Sequence, residues 1–138
     1  MIKFSDIEMA FEYVSFGAPS ENSAFLSKES GKIFYYTEYG DNEEELPEDV
    51  GDVEKYIEIP HKNDLGLGRS LAFKFAAQFM PGSVDQVYEF FSNRGAYRRY
   101  KQFLADRSML EQWHEYENEQ ERAALREWCE LEKIEFED

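Results

Sequence analysis

A chain of 138 residues carrying 30 acidic and 15 basic side chains, a formal charge of −15, is long enough to bury about two-thirds of its unfolded surface in one domain spanning 1–138. Its 17% aromatic content excludes a disordered acidic tail, since such tails are poor in aromatic and branched residues. No apolar run approaches the ~20 residues needed to span a bilayer, and the single cysteine, Cys129, excludes an internal disulfide and suits a reducing, cytoplasmic compartment.

"MIKFSDIEMAFEY" has carboxylates where a signal peptide needs an apolar stretch, so it reads as part of the domain. Ser5 and Glu8 have the spacing of a capping box, and Ile7, Ala10, Phe11 and Val14 follow at helical intervals. "GAPSENS" ends that helix. "AFLSKESGKIFYYTEY" then gives two strand-like runs about a polar turn, a predicted hairpin in which Ile33, Tyr35 and Thr37 alternate with Phe34, Tyr36 and Glu38. "GDNEEELPEDVGDVE" has no apolar period and reads as a solvated loop; "KYIEIP" is a third short strand closed by Pro60.

After Pro60 the pattern is helical. Leu67, Leu71, Phe75 and Phe79 stand one turn apart. Ser83 and Gln86 repeat the capping-box spacing ahead of Val84, Val87, Tyr88 and Phe91. Beyond Gly95 come Tyr97, Tyr100, Phe103 and Leu104, and a last helix carries Trp113, Tyr116, Gln120, Ala124, Trp128 and Leu131. The expected class is α+β: an N-terminal helix and small three-stranded antiparallel sheet over 1–60, then a helical half of three to four helices over 61–138.

Charge is segregated along the chain. Residues 1–54 sum to −11, residues 55–107 to +4 and residues 108–138 to −8. This balance disfavours non-specific attraction to nucleic acid or anionic lipid, and leaves a local site as the only place for an anion. Such a site is offered by "NRGAYRRYK", where Arg94, Arg98, Arg99 and Lys101 fall within eight residues. On a helix beginning near Gly95, Arg94, Arg98 and Lys101 lie close to one face and Arg99 is turned toward its edge. Guanidinium forks suit phosphate and carboxylate. The competing and more ordinary reading is that these arginines, Arg98 and Arg99 above all, pair with the chain's own carboxylates and fix how the helices dock.

A second candidate is "IPHKNDLGLGRSL", where a strand leads through Gly66 and Gly68 into a helix, flanked by Lys62 and Arg69. Leu71 occupies the third glycine position of the dinucleotide fingerprint and no Gly-Lys-Ser/Thr follows, so chain reversal explains the glycines as well as phosphate does. His61 and His114 are isolated, so no metal site is expected. Cys129, flanked by Glu127 and Glu130, reads as a core residue rather than a reactive thiol.

"RGAYRRYK", "EQWHEYE" and "ALREWCELEKIEFED", with "FLSKESGKIFYY" and "KYIEIPHKND" ahead of them, resemble segments of the bacterial uncharacterised protein family 0158. Members of that family show RGAFRRFK-like, WYxF-like and WCEENGIE-like segments. Glu132 and Lys133 replace its usual Asn-Gly and His114 its usual Tyr. The resemblance implies one compact domain and assigns no activity, so no catalytic residue and no cofactor come with it.

Function is therefore expected to be interaction with a protein. The acidic stretches from Asp41 to Glu54 and from Glu115 to Asp138 would meet a basic or mixed-charge partner, with Glu43, Glu44 and Glu45 in contact, or would imitate the charge of nucleic acid without binding it. The alternative is a small phosphate- or nucleotide-binding enzyme with Lys62, Gly66, Gly68 and Arg69 as one wall and Arg94, Arg98 and Arg99 as the other.

Overall fold

A computed structural model describes residues 1–40 and 42–138; Asp41, where the acidic loop begins, lies outside the described residues. The fold is α+β, with an N-terminal helix, a three-stranded antiparallel sheet and a run of four further helices. Two compact units make it up: Met1–Leu65 with Leu125–Asp138, and Gly66–Ala124. Among the described residues no helix is long and apolar enough to cross a membrane.

In the first unit, β1 (Ile2–Lys3) leads directly into α1 (Phe4–Ser15). The predicted stripe is buried, with Ile7 and Ala10 wholly inaccessible and Phe4, Phe11 and Val14 nearly so. Burying such aliphatic and aromatic side chains contributes about 1.5–3 kcal/mol each, which is what holds a helix of this length. The Ser5–Glu8 capping box is not formed. Lys3 is the N-cap, and it makes no side-chain capping bond. The reason is non-local: Ile2 and Lys3 pair in parallel with Phe136 and Glu137 of β5 (Phe136–Glu137), and this pins the start of the helix upstream of Ser5. Phe4 packs against Phe136 at 5.0 Å with the rings tilted by 42°, and the Arg126 guanidinium covers the Phe4 ring at 4.4 Å while pairing with Asp138.

The sheet has the order β3-β2-β4, from β2 (Asn22–Ser27), β3 (Ile33–Thr37) and β4 (Tyr56–Glu58). Ala24 lies opposite Tyr35, and Phe25 lies between Phe34 and Glu58. Ala24, Leu26, Ile57 and Ile59 add to the core of this unit, as do Leu125 and Cys129.

The second unit opens with α2 (Arg69–Phe79), which buries Leu71, Ala72, Phe75 and Ala76 on the expected period but leaves Phe79, the last of the expected series, exposed. A 3-10 turn at Pro81–Ser83 follows, then α3 (Val84–Phe90) and α4 (Ala96–Asp106). The Ser83–Gln86 capping box is also absent. Ser83 is bound into the 3-10 turn, and its hydroxyl caps nothing. The long α5 (Leu110–Leu131) carries Trp113, which is 1% exposed and stands against Phe75 at 5.3 Å and Tyr100 at 5.1 Å, both rings near perpendicular. Leu131, expected on the buried stripe, is 75% exposed. Toward its end the helix turns its buried face to Leu125 and Cys129, one position off the Ala124–Trp128 series.

Candidate functional site

The basic stretch is built around Gly95. Gly95 has φ 71°, a left-handed conformation that costs a residue with a side chain roughly 1 kcal/mol or more, and it is the N-cap of α4. Arg94 therefore lies outside the helix, and the helical face available to it is the one bearing Gly95, Arg98, Arg99 and Gln102, at i, i+3, i+4 and i+7. These residues line a concavity of about 430 Å³. All three arginines are exposed.

The fold refines the expected grouping: Arg99 joins Arg94 and Arg98, while Lys101, its ammonium 4.9 Å from the centroid of the Tyr97 ring, shares a neighbouring concavity with Arg98. It also corrects the expectation of internal pairing: among the described residues no carboxylate lies within 4.0 Å of Arg94, Arg98 or Arg99. Glu117, one of the carboxylates close to them in sequence, accepts a 2.8 Å hydrogen bond from the Tyr97 hydroxyl. Burial first, and then the Glu117 carboxylate, push the Tyr97 phenol upward.

The residues of the other expected wall belong to two units. Lys62 begins a 3-10 turn (Lys62–Leu65) in the first unit, its N–H donating to the Ser15 hydroxyl at 3.0 Å, whereas Gly66, Gly68 and Arg69 belong to the second. Gly66 is in the left-handed region at φ 69° and its carbonyl accepts from the Ser70 hydroxyl at 2.9 Å; Gly68 is the N-cap of α2. Both glycines thus have a structural use at this chain reversal.

His61 is 5% exposed and satisfied on every polar group. Its Nδ1 accepts from the Asn63 N–H at 3.0 Å, which assigns the proton to Nε2, and Nε2–H donates to the Gly17 carbonyl at 2.8 Å. His61→Ala is expected to cost about 1–3 kcal/mol by stranding those two backbone groups, with partial recovery in His61→Gln. Denaturant midpoints read both variants, and an unchanged midpoint in His61→Ala would refute the role.

Cys129 is inaccessible, and burial pushes its thiol up to about 11, against a small opposing effect of Arg126. Among the described residues no group of three or more His, Cys, Asp or Glu is placed to hold a metal ion.

The acidic loop contributes differently. Glu44 pairs with Lys32 at 3.0 Å, Asp49 pairs with Lys55 at 3.1 Å, and Glu43, Glu44 and Glu45 are all exposed. Glu43 and Glu44 border a concavity of about 550 Å³ whose apolar lining includes Met9, Tyr13, Ile33 and Tyr35. Sequence reasoning missed this groove, because Met9 and Tyr13 are remote from the strand in sequence. No family model, no curated protein and no solved structure matches this chain.

Proposed function

We propose that this is a cytoplasmic, non-catalytic interaction protein, related to the bacterial uncharacterised family 0158 that it resembles, whose α4 surface binds an oxyanion group presented by a partner. One observation carries this reading: Arg94, Arg98 and Arg99 line a shared concavity and remain unpaired with carboxylates among the described residues, although acidic side chains outnumber basic ones two to one. Gly95 adds to it by leaving the first amides of α4 without a side-chain cap, so that the helix dipole and the three guanidiniums favour the same negative charge. Phosphate and carboxylate share the required geometry. Nucleic acid is disfavoured, because the net −15 opposes a polyanion that would need many neutralising contacts.

Thermal melting with inorganic phosphate, sulfate, acetate, nucleotides and a phosphoserine peptide tests the reading. A ligand that binds only the folded state raises the midpoint by mass action. The midpoint is expected to rise with phosphate or carboxylate ligands and not to rise in the Arg94→Ala/Arg98→Ala/Arg99→Ala triple variant. A flat response across the panel, or an equal rise in the triple variant, removes this reading. The acid-bordered groove beside β3 favours a second, compatible reading, in which a basic partner meets the chain at Glu43 and Glu44.

A further inference from the structure

The order β3-β2-β4 leaves β3 at an edge. Its hydrogen-bonding direction follows from the ends of the ladder. Ser27 N–H donates to the Lys32 carbonyl and Glu38 N–H to the Glu21 carbonyl, so the even-numbered residues of β3 face β2. The outward backbone groups belong to Ile33, Tyr35 and Thr37.

Those of Thr37 are already held. Its N–H donates to Asn42 Oδ1 at 2.8 Å and its carbonyl accepts from Asn42 Nδ2 at 3.2 Å. A single side-chain amide thereby occupies the place of a neighbouring strand's peptide group and closes the edge at that residue. Ile33 and Tyr35 have no such partner among the described residues, and they present two donors and two acceptors in succession. On the opposite edge the outward N–H of Tyr56 in β4 is bonded to the Asp52 carbonyl at 2.9 Å.

Beside this open edge lies the 550 Å³ groove. Ile33, Tyr35 and Thr37 send their side chains to one face, where Tyr13 of α1 stands edge-on to Tyr35 at 5.0 Å and Met9, 63% exposed, continues the apolar floor. Glu43 borders it with no cation within 4.0 Å among the described residues.

We infer that the open edge and this groove together form a docking site for an extended, basic segment of a partner protein, added as a strand to Ile33 and Tyr35. An apolar side chain of that segment lies over Met9 and Tyr13, and a lysine or arginine lies beside Glu43. The occupant is extended because the free backbone groups repeat every second residue, which a helix does not match. It is basic because residues 1–54 carry a net −11. The same charge argues against a second copy of this chain, whose own β3 would bring −11 against −11. The inference is independent of the α4 surface.

The test is nuclear magnetic resonance on the full chain with blocked seven-residue peptides, one alternating lysine and valine and one alternating glutamate and valine. The lysine–valine peptide is expected to shift the Ile33 and Tyr35 amides and slow their exchange, leaving Thr37 unmoved. Glu43→Lys is expected to weaken binding about two- to fivefold, the range of an exposed charge pair. Asn42→Ala is expected to extend protection to Thr37, because its amide clasp is gone. Absence of protection at Ile33 and Tyr35, equal binding of the glutamate–valine peptide, or undiminished binding to Glu43→Lys overturns the inference. Protection in Asn42→Ala is read independently of any folding defect in Glu43→Lys.

Discussion

Trp113→Ala is expected to lower the free energy of unfolding by about 3–5 kcal/mol, the range for deleting a buried indole. Trp113 is 1% exposed and touches Phe75, Tyr100 and Tyr116, with centroids 5.3, 5.1 and 6.3 Å away. Two of these rings are themselves inaccessible, so the cavity has few mobile neighbours to collapse into it. Trp113→Phe should cost less than half as much. It keeps a ring against Phe75 and Tyr100 and removes a buried indole N–H that has no hydrogen-bond partner of ordinary geometry among the described residues, although it lies near enough to the Tyr97 hydroxyl to oppose the upward shift of that phenol. Urea denaturation measures both variants. A loss below about 1 kcal/mol for Trp113→Ala would contradict the placement of this residue at the centre of the second unit.

The second large effect is alkaline unfolding. Burial raises the Cys129 thiol from its ordinary 9.0 to about 11. It also raises the Tyr100 phenol, whose oxygen is buried with no hydrogen-bond partner among the described residues, well above its ordinary 10.0. Both groups are neutral when protonated, so the folded chain holds protons that the unfolded chain releases. The stability they contribute is complete below pH 9 and is lost as pH rises. Each proton held only in the folded state removes about 1.4 kcal/mol per pH unit. Cys129 acts alone between pH 9 and 10, and Tyr100 joins it above 10. Tyr97 adds a smaller share in the same direction, since it is 37% exposed and solvent screens its interactions. Denaturant midpoints are expected to fall steeply from pH 9 to 11, and Cys129→Ala is expected to flatten the first part of that fall. A midpoint constant to pH 11 would contradict the burial of both groups.

Local patterns show in the sequence where local forces decide. The α1 stripe of Ile7, Ala10, Phe11 and Val14, the hairpin alternation and the third strand at Tyr56 are legible because burial follows a period of 3.6 or 2. The start of α1 is not, because the parallel pairing of Ile2–Lys3 with Phe136–Glu137 overrides Ser5, and no local pattern records a contact across the length of the chain. The shift from Trp128 to Cys129 at the end of α5 has the same character: Ala124 and Leu125 are both apolar, and packing chooses between them. The arginine face was partly legible. Gly95, Arg98, Arg99 and Gln102 have helical spacing, and a helix start at Ala96 separates Arg94 from Lys101. Carboxylates close in sequence suggested partners for these arginines; in the fold, Glu117 is committed to Tyr97. The Asn42 clasp on Thr37 had a weaker signal, an asparagine that follows the sequence Gly-Asp and has equal scope to cap its own loop.

Chemical denaturation of the Arg94→Ala/Arg98→Ala/Arg99→Ala variant, with and without phosphate, reads most directly whether the basic cluster serves an external anion. If it does, the variant unfolds within about 0.5 kcal/mol of the parent, as exposed substitutions do, and phosphate no longer stabilises it. A loss of about 2 kcal/mol or more, with the phosphate response intact, would show that the guanidiniums hold the helices together.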